Sequence, residues 1–127
     1  MKEIYIIKKE VRFEAGHFLR DVDEEHPCAK QHGHSYITFV TLRSQLLDET
    51  GFVLDFNYIK ALIRGRFDHV NLNDAMARNP TAENIASEIG RMVNDLLFKM
   101  ECNDEVKLIE VEVRETATGS ATVRWET

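Results

Sequence analysis

Apolar and polar residues alternate along two segments in the first part of the chain. In the first segment the alternation is interrupted by charged residues at 8–10, which indicate a bend or an exposed stretch midway. In the second segment the alternation begins at His34. The pattern predicts β-strands over about residues 4–15 and 34–43. The apolar residues of the first segment that share one parity are Tyr5, Ile7, Val11, Phe13 and Ala15.

Two later segments carry apolar residues at helical spacing. The first follows Asp55, a suitable N-cap, and is weakened near its end by Gly65. The second follows Pro80, with Thr81 as its N-cap. Residues 68–74, between the two segments, are too polar for a helix interior. The apolar stripes consist of Ile59, Leu62, Ile63 and Phe67 in the first helix and of Ile85, Ile89, Met92, Leu96, Leu97 and Met100 in the second.

Two further strands are predicted over about residues 106–116 and 120–125, joined by a turn at Gly119. The order strand, strand, helix, helix, strand, strand predicts one α+β domain over residues 1–127. We expect a four-stranded antiparallel sheet with both helices on one face. Leu108 and Val111 differ in parity, so we expect apolar side chains on both faces of the sheet. An uncovered face and open edges predict a homo-oligomer with its active site at a subunit boundary.

Composition and charge narrow the possible functions. A hydrophobic share of 43% in 127 residues permits one domain with a core. The net charge of −6 argues against nucleic acid or an anionic membrane as the main partner. Cys28 and Cys102 lack the spacing of a disulfide framework, which predicts a reduced, cytoplasmic setting. Residues 1–5 contain an acid, and no apolar run approaches membrane-spanning length, so we expect neither a signal peptide nor a membrane span.

Two histidines spaced two residues apart, His32 and His34, point to one face of an extended segment and can share a metal ion. His17 is the natural third ligand, because antiparallel strands bring distant positions together. Three imidazoles leave one coordination position open, which is the pattern of catalytic zinc. Cys28 could replace His17 as a ligand. A three-histidine site with Cys28 nearby as a base is favoured, because zinc would quench the thiolate.

Each candidate residue also has an ordinary structural explanation. Histidines in strands are more often hydrogen-bonded side chains than ligands. His26 is a further candidate ligand, but its acidic loop beside Pro27 favours a solvated side chain. Asp68 and His69 could form a proton-transfer pair or simply cap a helix or turn. Glu115 ends an apolar strand face, so it either accepts from the adjacent N–H donors of a guanidine-like heterocycle or forms a surface salt bridge.

Several motifs lie in order along nearly the whole chain. In one of them, three residues separate Cys28 from His32-Gly33-His34. The others are Phe13-Glu14-Ala15-Gly16-His17, Gly51-Phe52-Val53-Leu54-Asp55-Phe56, Asp68-His69-Val70-Asn71-Leu72-Asn73, Pro80-Thr81-Ala82-Glu83-Asn84 and Val111-Glu112-Val113-Arg114-Glu115-Thr116. Together these motifs resemble the 6-pyruvoyltetrahydropterin synthase family, and the gap between Cys28 and His32 is similar to that of its bacterial 6-carboxy-5,6,7,8-tetrahydropterin synthases of the queuosine (7-deazaguanine) pathway.

The resemblance implies the tunnelling fold, in which trimers close their strands into a barrel and two trimers stack as a hexamer. It also implies the roles of particular residues. Zn²⁺ would be held by three histidines, and Cys28 would be the base that removes a proton from the substrate. The implied metal ligands are His17, His32 and His34; the implied proton-transfer pair is Asp68 and His69; the implied pterin anchor is Glu115, with Thr81 and Glu83 near the same pocket.

The activity implied by the resemblance is that of a zinc-dependent lyase. It would convert 7,8-dihydroneopterin triphosphate into 6-carboxy-5,6,7,8-tetrahydropterin, with release of acetaldehyde and triphosphate. One alternative is a 6-pyruvoyltetrahydropterin synthase, which eliminates triphosphate only. Another is a non-enzymatic oligomer that binds pterin or holds zinc structurally, in which case four protein ligands would saturate the metal.

Overall fold

A computed structural model describes residues 1–102 and 104–126 of the chain. The α+β class is confirmed, and two short elements are added between the long helices. The bounds of all four predicted strands agree with the structure to within about two residues, the usual uncertainty of such bounds. The strands are β1 (Tyr5–His17), β2 (His32–Ser44), β3 (Val70–Asn71), β4 (Lys107–Thr116) and β5 (Gly119–Arg124), and the helices are α1 (Phe56–Phe67), α2 (Leu72–Ala75) and α3 (Ala82–Lys99).

The sheet has five strands in the order β3-β1-β2-β4-β5, rather than the four we expected. β3 pairs with β1 in parallel, so the sheet is mixed and not purely antiparallel. The segment that was too polar for a helix interior forms β3 and then α2, a helix of 4 residues. Asn71 caps α2 by accepting a hydrogen bond from the backbone N–H of Asn73 at 3.1 Å. This local side-chain capping is why so polar a segment can begin a helix.

The core lies between the sheet and the helices. Val11, Phe13 and Ala15 of β1 are buried there, while the residues between them point away. The apolar stripe of α3 packs on the same side of the sheet. After β5 the chain places Trp125 against Gly90 of α3, so closely that a Cβ at position 90 would overlap the indole ring. Among the described residues, no helix has the length and apolar character needed to cross a membrane.

A β-bulge in β4 changes which residues of this strand face the core. Leu108 pairs with Leu42 of β2 and Glu110 pairs with Thr41, so Ile109 is the extra residue. Leu108 is 4% exposed and Val111 is fully buried in the same core. We had expected the different parity of these two residues to place them on opposite faces of the sheet. Because of the bulge, both face the core.

The face of the sheet that points away from the helices is mixed in character. It carries the exposed side chain of Ile6 and the half-buried ring of Phe39. Arg114 and Lys8 lie over the Phe39 ring, 4.7 Å and 5.2 Å from its centre. Apolar residues are therefore present on this face, but they are interleaved with charge.

Candidate active site

Histidines meet at the end of the ladder that joins β1 and β2. His17 and His32 are direct cross-strand partners, and His34 lies two residues further along β2 on the same face. The Nε2 atom of His17 lies 3.1 Å from the Nε2 atom of His32. The structure thus brings together the histidines that the sequence predicted as a metal site.

Glu115 completes this cluster from the neighbouring strand β4. Its Oε1 atom lies 3.2 Å from Nε2 of His34 and 3.9 Å from Nε2 of His17. One ligand atom from each of the four residues lies within 4.8 Å of the others. The residue that the sequence suggested as a pterin anchor is therefore also within reach of a metal held by the histidines.

Backbone carbonyls fix the tautomers of two of the histidines. Nδ1 of His17 donates to the carbonyl oxygen of Pro80 at 2.8 Å, and Nδ1 of His32 donates to that of Lys30 at 2.7 Å. A carbonyl can only accept, so each Nδ1 carries the proton and each Nε2 presents its lone pair to the cluster. Two lone pairs 3.1 Å apart repel each other unless a cation or a proton lies between them.

The donor atoms fit a zinc ion. Nε2 of His34 is buried and, although Oε1 of Glu115 lies 3.2 Å away, makes no hydrogen bond to any of the described residues. Leaving such an atom unpaired costs about 1–3 kcal/mol, a cost that a metal bond removes. Neutral imidazole nitrogens with an outer carbonyl partner are typical zinc ligands. Burial of His17 lowers its pKa below 6.5, which keeps its imidazole neutral, although the hydrogen bond to Pro80 acts in the opposite direction.

Tyr36 is a member of the site that the sequence analysis missed. Its hydroxyl lies 3.2 Å from Nδ1 of His17, and the side chain is fully buried. Burial raises the pKa of Tyr36 well above its ordinary value, and the negative charges of Glu115 and Cys28 raise it further. The phenol therefore stays protonated beside His17. Tyr36 lies two residues after His34 in β2 and therefore shares its face of the strand, and this spacing could have identified it in the sequence.

Cys28 lies in a single 3₁₀ turn, Pro27–Ala29, between β1 and β2, and is half-buried as a free thiol. Its carbonyl accepts from the backbone N–H of Leu19 at 2.7 Å. Its own N–H donates to Nδ1 of His26 at 3.0 Å, so exposed His26 caps the turn. Neither residue belongs to the group whose ligand atoms converge. This placement favours a role for Cys28 outside the metal donor set.

Asp68 and His69 lie elsewhere, at the edge of the sheet. His69 lines an open pocket of about 460 Å³, and the other residues of this pocket include Glu14, Ser35 and the cluster residue His34. Nε2 of His69 lies 3.7 Å from Oδ2 of Asp68. Among the described residues, no hydrogen bond or ion pair joins this pair to the histidine cluster. Within one subunit the Asp68–His69 pair is therefore not bonded to the histidine cluster, although His69 and His34 line the same pocket.

The two remaining predicted residues lie at the start of α3. Thr81 is the N-cap of this helix and accepts from the backbone N–H of Asn84 at 3.1 Å. Because the preceding residue, Pro80, binds His17, Thr81 borders the histidine cluster. Glu83 is exposed in the first turn of the helix.

The fold and the site define an α+β protein with a partly buried three-histidine centre built on neighbouring strands. The model of the 6-pyruvoyl tetrahydropterin synthase family matches residues 6–126, and the chain belongs to this family. The resemblance seen in the sequence motifs is thereby confirmed.

Relatives within the family share most of the chain. The 6-carboxy-5,6,7,8-tetrahydropterin synthase of Synechocystis sp. is 38% identical over 127 residues, covering 93% of this chain and 92% of the relative. The protein of the same name from Bacillus subtilis is 30% identical over 125 residues, covering 93% and 84%. The structure of Caenorhabditis elegans 6-pyruvoyl tetrahydropterin synthase superposes with a TM-score of 0.78 at 22% identity, covering 98% of this chain and 97% of that one. The tunnelling fold expected for the subunit is confirmed.

Proposed function

We propose that the protein is a zinc-dependent carbon–carbon lyase. It would convert 7,8-dihydroneopterin triphosphate and water into 6-carboxy-5,6,7,8-tetrahydropterin, acetaldehyde and triphosphate, as a step of queuosine biosynthesis in the cytoplasm. The observation that carries the proposal is the convergence of three imidazole nitrogens with one carboxylate on the core face of the sheet. The names of the relatives at 30–38% identity support the choice of reaction.

Zn²⁺ held by His17, His32 and His34 would polarise the hydroxyl oxygens of the substrate side chain and stabilise negative charge that develops there. Cys28, outside the donor set, would take a proton from that side chain as thiolate. Glu115 would hold the pterin ring by accepting from its adjacent N–H groups. Thr81 and Glu83 would border the bound substrate at the start of α3.

The Asp68–His69 pair would return a proton to the substrate, and its position indicates how. The pair lies on the edge that β3 forms, and among the described residues of one subunit no hydrogen bond or ion pair joins it to the histidine cluster. A second copy of the chain could present its own pair to the cluster of the first. We therefore propose a homo-oligomer, a hexamer made of two trimers, in which each active site takes residues from two subunits.

Two alternatives have observations in their favour. Solved relatives with the same fold are named 6-pyruvoyl tetrahydropterin synthases, and such an enzyme would stop after losing triphosphate. The proximity of Glu115 to His34 favours a structural zinc site with four protein ligands, in a protein without turnover.

One experiment separates these functions. The zinc-loaded protein is incubated with 7,8-dihydroneopterin triphosphate, and the pterin product and acetaldehyde are identified by mass spectrometry, with chelator-treated protein as the control. Equal amounts of 6-carboxy-5,6,7,8-tetrahydropterin and acetaldehyde are expected. A pyruvoyl product would establish the first alternative, and absence of turnover with zinc fully bound would establish the second.

A further inference from the structure

Asp68 occupies an electrostatically unfavourable place. It is the C-cap residue of α1, which ends at Phe67, so its carboxylate faces the negative end of the helix dipole. The next residue, His69, has a φ of 59°, in the left-handed region that side chains other than glycine rarely adopt. Unfavourable features at two adjacent residues are typical of a functional site and not of a stabilising one. Other groups must hold this geometry in place.

The backbone of β1 supplies part of that support. The N–H of Glu14 donates to Oδ1 of Asp68 at 3.0 Å, and the carbonyl of Glu14 accepts from the N–H of His69 at 2.6 Å. One residue of β1 thus binds both members of the pair through its main chain. These bonds place the pair at the sheet edge but leave Oδ2 of Asp68 unrestrained.

Arg64 restrains that second oxygen. One guanidinium nitrogen donates to Oδ2 of Asp68 at 2.7 Å, and the carbonyl of Arg64 accepts from the N–H of Asp68 at 3.1 Å. Nε2 of His69 approaches the same Oδ2 to 3.7 Å. Among the described residues, Arg64 is the one side chain that donates a hydrogen bond to this carboxylate. It therefore decides where Oδ2 lies relative to the imidazole.

The two side chains of the ion pair differ in their exposure to solvent. The side chain of Asp68 is 13% exposed, and that of Arg64 is 46% exposed. Pairs of this kind contribute little to the stability of a fold. The charged groups that face the Asp68 carboxylate are Arg64 from α1 and His69 from its own segment, while β1 contributes the backbone N–H of Glu14. The backbone N–H of Glu14, and after it Arg64, hold the pKa of Asp68 below its ordinary value.

We propose that Arg64 is a positioning residue of the Asp68–His69 pair, which fixes Oδ2 beside the imidazole by binding it. This inference rests on the proposed function, in which the pair returns a proton to the substrate. Without Arg64, Oδ2 can turn toward solvent, and the carboxylate no longer has a fixed position relative to His69. Arg64 is not part of the histidine cluster and binds Asp68, so the cluster should be unaffected.

The test compares the zinc-loaded parent with Arg64→Gln, Arg64→Lys and Lys60→Gln. Lys60→Gln is the matched control, because it removes the same charge from the same helix two turns before Asp68. We expect Arg64→Gln to lower kcat about tenfold with KM changed less than about twofold, and to move the acidic limb of the kcat pH profile to higher pH. The kcat of Arg64→Lys should lie between those of the parent and Arg64→Gln. This variant also provides the test if Arg64→Gln fails to fold.

A carbon-13 titration of the Asp68 carboxyl group, read by NMR, is independent of turnover. We expect the pKa of Asp68 to be higher in Arg64→Gln than in the parent and unchanged in Lys60→Gln. Absence of turnover in the parent would overturn the proposed function, and the titration would then decide the role of Arg64 alone. An unmoved titration, an unchanged kcat in an active parent, or an equal effect of Lys60→Gln would overturn the positioning role.

Discussion

Nδ1 of His17 donates to the carbonyl oxygen of Pro80 at 2.8 Å, which joins the end of β1 to the residues that begin α3. Because the acceptor is a main-chain atom, no side-chain substitution at position 80 removes it. The tautomer of His17 is therefore a property of the fold. The hydroxyl of Tyr36, on the same nitrogen, is by contrast removable, and so its contribution can be measured.

Tyr36→Phe should weaken zinc binding without abolishing it. The variant removes the hydroxyl that contacts Nδ1 of His17, while the bond to Pro80 continues to orient the ring. Loss of such an outer partner typically lowers metal affinity about tenfold or more. Competition with a zinc chelator measures the change, and Tyr58→Phe, at an exposed position of α1, is the control. Equal affinities for parent and Tyr36→Phe would contradict the prediction.

Cys28→Ala should keep its zinc and lose turnover. Cys28 lies outside the group of converging ligand atoms, so its removal should leave the metal in place. Loss of a general base lowers kcat by about 100-fold or more. Zinc content by elemental analysis and product formation are measured on the same preparation. Loss of zinc would instead identify Cys28 as a ligand.

Glu115→Gln separates the two roles of this residue. As a pterin anchor, the glutamine loses the negative charge and one acceptor, so pterin affinity should fall about tenfold or more while zinc stays bound. Pterin binding by calorimetry and zinc content measure the two effects. Glu112→Gln, whose carboxylate pairs with Arg114 at 2.7 Å, is the control. Loss of zinc with Glu115→Gln would favour the structural four-ligand site.

Gly90→Ala and Gly65→Ala should have opposite effects on stability. A Cβ at position 90 overlaps the ring of Trp125, whereas a Cβ at position 65 meets nothing within 4 Å. Overpacking should cost about 1–3 kcal/mol in the first variant. Alanine in a helix should add up to about 1 kcal/mol in the second. Unfolding is followed at fixed protein concentration, and destabilisation by both variants would contradict the open space at Gly65.

The contribution of Asp68 to stability should depend on acidity. Hydrogen bonds from Glu14 and Arg64 lower the pKa of Asp68 below 3.8, so at acid pH the unfolded chain binds more protons at this group than the folded one. The stabilisation is fully present above the ordinary pKa of 3.8 and is lost as the pH falls from there through the lower pKa of the folded chain. The difference in unfolding temperature between parent and Asp68→Asn should therefore shrink as the pH falls from about 5 to about 3. A difference independent of pH would contradict this.

The alternation of apolar residues was enough to predict the four long strands, since each has one face on the core. Helical spacing predicted α1 and α3 for the same reason. The fifth strand could not be predicted, because β3 is 2 residues long and has no repeating pattern. The bulge at Ile109 could not be predicted either. One extra residue reverses which alternate positions face the core, and no residue type in the strand indicates where this happens.

For the site, histidine spacing predicted the metal cluster because strand geometry makes positions i and i+2 share a face. The hydrogen bonds from the histidines to the carbonyls of Lys30 and Pro80 could not be predicted. Every residue has a backbone carbonyl, and only the folded structure shows which ones lie beside the imidazoles. The separation of the Asp68–His69 pair from the cluster could not be predicted either. The order of motifs in a sequence does not reveal which of them the folded chain bonds together.

The pairing of His17 with His32 has a consequence for how this site can change. Residues 18–31 form a loop whose two ends are fixed beside each other by the β1–β2 ladder, and Cys28 is carried within it. Insertion or deletion in such a loop has a small entropic cost and leaves the strand ends in place. The distance between the Cys28 thiol and the histidine cluster can therefore be altered by loop length alone. In this architecture the chemistry of the thiol can diversify while the histidines remain where the sheet holds them.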